Sequence, residues 1–96
     1  MSAQTCYAVM SSPSEEGRLA ILLIQAKQRL AELEARTAEM EKDVNRFHDR
    51  VMRDPSPWMV EVLARSLLIL RNSEYAVIQA RASVELAKRN IRKHST

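Results

Sequence analysis

The side chains in this sequence that could do chemistry are few, and their spacing does not bring them together. His48 and His94 stand far apart, and neither lies one helical turn from a second imidazole, the spacing a helical zinc site needs. Cys6 is the one cysteine, so an intrachain disulfide or a thiolate-based zinc site cannot form, and an unpaired thiol in a mobile arm is expected. The carboxylates Glu32, Glu34, Glu39, Glu41 and Asp43 are interspersed with Arg36 and Lys42, which suits a solvated helix face and not an acid and base tuned apart. A single glycine excludes a glycine-rich phosphate loop, and no nucleophile is placed beside a base. No enzymatic activity, metal or cofactor is therefore expected.

Lys88, Arg89, Arg92, Lys93 and His94 form a basic cluster that could contact phosphates. Cations are equally favoured in the last turn of a helix, where they complement its dipole, and no aromatic residue accompanies these for base stacking. Lys+Arg 15 against Asp+Glu 12 gives a net charge of +3. Residues 1–53 carry eight charges of each sign, so the excess lies in the second half. This is too mild to make nucleic acid the expected partner. An RNA-binding hairpin dimer using Lys88, Arg89, Arg92 and Lys93 stands as an alternative.

The elements that must position these residues follow from composition and punctuation. Ninety-six residues of 11.0 kDa, 46% hydrophobic, 28% charged and 4% aromatic, with one Gly and three Pro, describe one small helical domain. Met1 to Ser11 has no Lys or Arg and no apolar run of signal-peptide length, and is read as a flexible arm. The most apolar windows, Leu19 to Ile24 and Trp58 to Leu70, fall short of the roughly 20 residues of a bilayer span. Glu61 and Arg65 also interrupt the second. A soluble, cytoplasmic protein is expected.

Ser12-Pro13-Ser14-Glu15 reads as a helix start, with Ser12 as cap, Pro13 at the first helical position and Glu15 closing a capping box. Asp54-Pro55-Ser56 ends that helix, and Ser56-Pro57 repeats the start signal. The prediction is an all-α antiparallel hairpin over residues 12–96, with helix 1 at about 13–53, a turn at 54–56 and helix 2 at about 57–93.

In the first helix Leu19, Leu23, Ala26, Leu30, Leu33, Thr37, Met40, Val44, Phe47 and Val51 alternate by four and three, a coiled-coil seam with charged flanks. The second helix is less regular. Val60, Leu63, Leu67, Leu70, Glu74 and Val77 form one seam, continuing through Ala80, Val84, Ala87 and Ile91 after a one-residue slip. A second row, from Val62 and Ser66 through Ile69, Ser73, Ala76, Ala80 and Ser83 to Ala87, is mostly small and would admit another helix closely. Folding about Pro55 opposes residues whose numbers sum to roughly 110, so Val51 meets Val60, Phe47 meets Leu63, Val44 meets Leu67 and Leu33 meets Val77. Thr37 then meets Glu74, either as a register-fixing polar layer or with Glu74 turned to water.

Trp58, Met59, Leu68, Ile69, Tyr75 and Ile78, with Ile21, Leu22 and Ile24, are left over from that pairing. Such a surplus marks a protein interface. Ile21, Ile24, Trp58, Leu68, Ile69, Tyr75 and Ile78 are the candidate partner contacts. They would receive an amphipathic helix of another protein, or a second copy of the chain in a four-helix bundle.

Arg50-Val51-Met52-Arg53-Asp54-Pro55-Ser56-Pro57, the Leu-rich run Val62 to Leu70 and Tyr75-Ala76-Val77-Ile78 resemble the small helical-hairpin proteins of bacterial type III secretion. The layout from about Leu19 to Ile78 is most similar to the needle-subunit co-chaperones. That resemblance implies a cytoplasmic protein that helps a tetratricopeptide-type chaperone keep the needle subunit unpolymerised. Needle and inner-rod subunits, whose hairpin turn also carries paired prolines around a Ser, are a second resemblance. The helices here are longer than in the co-chaperones, and the first looks unlike a subunit built to polymerise.

Overall fold

The computed structural model describes residues 14–95, and the expected arm, Ser12 and Pro13 lie outside them. Two helices of equal length account for nearly all of the described chain: α1, Glu15–Arg53, and α2, Pro57–Ser95, each of 39 residues. The cap of α1 is Ser14, two residues later than expected: its Oγ accepts the Gly17 N–H at 3.2 Å, so Glu15 opens the helix instead of closing a capping box, and with Glu16 places negative charge at the positive end of the dipole. Pro55 confines Asp54 to an extended conformation, φ −145° and ψ 88°, while the Asp54 N–H closes the last turn onto the Arg50 carbonyl at 2.8 Å. The Ser56 N–H then donates to the Asp54 carbonyl at 2.8 Å, and the Ser56 carbonyl receives the first α2 hydrogen bond from Val60 at 3.1 Å. The connection is too short for anything but an antiparallel return. The resulting hairpin is a rod about 58 Å long by helical rise, two helices wide and one helix thick.

The seam expected on α1 is the seam that packs. Thr37 and Val44 are buried, and Leu19, Leu23, Ala26, Leu30, Leu33, Met40, Phe47 and Val51 are half-buried between exposed flanks. The seam expected on α2 needs correction in its first half. Val60 and Leu67 are 46% and 48% exposed, and Glu74 is also turned out. The row that faces α1 is Met59, Leu63, Ser66, Leu70, Ser73, Val77, Ala80, Val84, Ala87 and Ile91, every member buried or half-buried. It alternates by four and three from end to end with no slip. Met59, first counted among the leftover residues, is 7% exposed and belongs to this core.

Size explains why this row wins. Ser73 Oγ lies 2.6 Å from Thr37 Oγ1, and 37 with 73 sets a register in which opposed residues add to 110. Along that register Leu23 faces Ala87, Ala26 faces Val84, Leu30 faces Ala80 and Val44 faces Ser66, so a branched side chain repeatedly meets a small one. Of the small row that would admit another helix, Ser66, Ser73, Ala80 and Ala87 are given to α1 of the same chain, while Ile69 and Ser83 stay exposed. Between these levels large residues meet, as Leu33 with Val77 and Phe47 with Leu63, so the seam fills by alternating sizes. Val60 and Leu67 are thereby rotated out.

Of the two readings of the middle layer, the one with Glu74 turned to water holds, and Ser73 stands opposite Thr37. The Thr37 hydroxyl donates to the Leu33 carbonyl at 2.7 Å, which leaves Ser73 as the donor to Thr37. Ser66 satisfies its own hydroxyl on the Val62 carbonyl at 2.9 Å. Among the described residues no buried side-chain nitrogen or oxygen lacks a partner.

Two substitutions test this seam by urea denaturation. Ala80→Leu should destabilise the hairpin by about 1–3 kcal/mol, because it overfills the close approach to Leu30. Gln79→Leu, one residue away and exposed, should stay within about 0.5 kcal/mol of the parent. Equal effects of the two would contradict the small-residue seam.

Candidate docking surface

With the inner face of α2 given to α1, its outer face can be drawn from the helical repeat. Taking about 100° per residue, Val60, Ala64, Leu67, Leu68, Arg71, Tyr75, Ile78 and Ala82 fall within an arc of roughly 100°, on the side turned away from the seam. All are exposed, among them Leu68 at 61%, Tyr75 at 63% and Ile78 at 60%. Arg71 is the one charge in the stripe. A solvated helix face normally carries charges at most such positions, as α1 does with Glu32, Arg36, Glu39 and Asp43.

The stripe unites only some of the residues chosen from sequence. Leu68, Tyr75 and Ile78 lie on it together. Ile24 belongs to the flank of α1 on the same side, roughly 12 Å along the axis from the level of Ile78 by helical rise. Ile69 and Trp58 point to the other side of α2, and Ile21 stands near the open end of the hairpin, about 45 Å from the level of Trp58. Ile69 is 54% exposed and Trp58 64%. Val60 and Leu67, whose spacing also fits a seam, belong to this surface. The signal that would have placed them was the unbroken Met59-to-Ile91 spacing, which mirrors the α1 seam number for number.

The concavities are shallow. A groove of about 330 Å³ beside the seam is lined by Glu34, Thr37, Ala38, Glu41, Glu74, Val77, Ile78 and Arg81. Glu34 and Arg81 span it at 3.9 Å with both side chains about half exposed or more. Among the described residues no three His, Cys, Asp or Glu side chains gather to hold a metal ion, and no helix is long and apolar enough to cross a membrane.

The basic cluster occupies the end of α2. Lys88 pairs with Glu85 at 3.4 Å, and Arg92, Lys93 and His94 fall in the last turn, where positive charge offsets the helix dipole. Neighbouring Asn90 and Ile91 offer no aromatic ring to a base.

No protein-family model matches the chain, and neither the search of curated proteins nor that of solved structures finds a match. The residues themselves carry the functional argument.

Exposed charges such as Glu34 and Arg81 are weak contributors to stability, so the register rests on the seam and not on this pair. Glu34→Ala should change the unfolding free energy by less than about 1 kcal/mol, measured by thermal or urea denaturation. A larger loss would move the register-setting role to the groove.

Proposed function

We propose that the chain is a non-enzymatic protein-docking hairpin that contributes two helices to a larger helical bundle. Its finer assignment is a small cytoplasmic chaperone or co-chaperone that shields a helical partner of a type III secretion apparatus. The observation that carries the docking role is the outer stripe of α2, where Val60, Leu67, Leu68, Tyr75 and Ile78 stand in water on a rigid helix. Full burial of each large apolar side chain contributes about 1.5–3 kcal/mol, of which association retains only the surplus over ordering costs. An amphipathic helix laid along the stripe would be held by the helix-in-groove mode, with anchors every three or four residues. Support for the secretion role comes from the hairpin layout and the Asp54-Pro55-Ser56-Pro57 turn.

The test is a double substitution, Leu68→Asp with Ile78→Asp. Both sites are exposed and lie off the α1 contact, so circular dichroism should show the helicity preserved. Association with a protein captured from the native cell, read by pulldown and sedimentation, should be abolished. Capture that persists unchanged would remove the stripe from the function. Capture of a secretion needle subunit or its chaperone would establish the finer assignment, and an unrelated partner would discard it.

A further inference from the structure

Resting on the docking role of the outer stripe, we propose that its occupant is a second copy of this chain, packed α2 against α2 in antiparallel orientation about a twofold axis between Arg71 and Glu74. The amount of open surface asks for such a partner. Val60, Leu67, Leu68, Tyr75 and Ile78 are 46–63% exposed along one continuous face of α2 about 27 Å long by helical rise, the kind of apolar patch a helical interface covers. No described side chain is wholly buried, so the isolated hairpin has a seam but little enclosed core.

Charge selects the orientation. Val60, Ala64, Leu67, Arg71, Glu74 and Ile78 again alternate by four and three, forming a third row on the flank of α2. Arg71 and Glu74 are exposed and neither takes part in an ion pair among the described residues. A parallel pairing in register would set Arg71 against Arg71 and Glu74 against Glu74. An antiparallel pairing centred between them sets Arg71 of each copy against Glu74 of the other, and Leu67 against Ile78 on either side. The same dyad brings Ile24 of one copy to the level of Met52, 73% exposed, of the other. The result is a four-helix bundle closed by two identical charge pairs flanked by apolar contacts. A foreign helix and the second copy would compete for one surface.

The experiment is sedimentation equilibrium of the full chain at about 0.1 M salt, where pairs within a Debye length still interact. The parent should be a helical dimer. Arg71→Glu and Glu74→Arg, each alone, should weaken dimerisation by about tenfold or more, and the double exchange should recover most of the loss. Orientation is read in a Cys6→Ser background by oxidation. The chain carrying both Leu67→Cys and Ile78→Cys should form a covalent dimer, whereas Leu67→Cys alone should not, because the antiparallel register separates the two copies of that residue by about 16 Å. A parent that is monomeric across the concentration range overturns the proposal, as does a double exchange no better than the single ones or a dimer linked through Leu67→Cys alone. The docking reading is judged separately. Arg71→Glu should weaken the dimer by that factor yet still capture a foreign partner, whereas Leu68→Asp with Ile78→Asp should lose both. A monomeric parent that captures a partner through Leu68 and Ile78 would sink self-pairing alone.

Discussion

Everything in this hairpin depends on the steric match between two heptad rows that run in opposite directions. On α1 the row is rich in Leu, and on α2 the residues brought opposite are often Ala or Ser. A seam of that kind holds two helices closer than two rows of large side chains could. The Thr37 and Ser73 hydroxyls mark its middle, and the Asp54-Pro55-Ser56 turn closes one end. Shifting α2 by one residue would bring Leu67 to Val44 and Glu74 to Thr37, overfilling the first site and leaving a carboxylate at the second. Both penalties act in the same direction, so the register is specified at several points along its length.

The outer stripe is a consequence of that choice. Helix α2 carries more apolar side chains than one neighbour can cover. Giving its small residues to α1 leaves the larger ones, Leu67, Leu68, Tyr75 and Ile78, facing water. The energetic position is therefore uneven. The row given to α1 alternates small residues with Met59, Leu63, Leu70, Val77, Val84 and Ile91, and Leu67, Leu68, Tyr75 and Ile78 stay outside that contact. Burial contributes in proportion to area, so covering these exposed side chains would add to the hydrophobic stabilisation of α2.

The polar residues divide along the same lines. Glu15 with Arg18, Glu39 with Lys42, Asp43 with Arg46 and Glu61 with Arg65 form exposed pairs within one helix, which favour helicity by a few tenths of a kcal/mol each and say nothing about a partner. Like Glu32, Arg36 and Asp49 elsewhere on the hairpin, Arg71 and Glu74 take part in no ion pair among the described residues; Arg71 lies within the apolar stripe and Glu74 on its flank. Charges in that position contribute orientation more than affinity.

Much of this was legible in the sequence, and the part that was not has a definite cause. The turn at Pro55, the two long helices and the α1 seam follow from proline stereochemistry and from a helix with one apolar face and charged flanks. Leu68, Tyr75 and Ile78 could be marked as surplus because no single seam absorbs them. Helix α2, however, is apolar on two sides, and hydrophobicity by itself favours the larger side chains for the core. It therefore drew Val60 and Leu67 inward and pushed Met59 outward. What decided the matter was fit to α1, a relation between two segments that neither contains alone. Local pattern thus determined that there would be two helices and which face of the first would be covered. Tertiary packing decided which face of the second would meet it, because close approach rewards complementary size over apolar area.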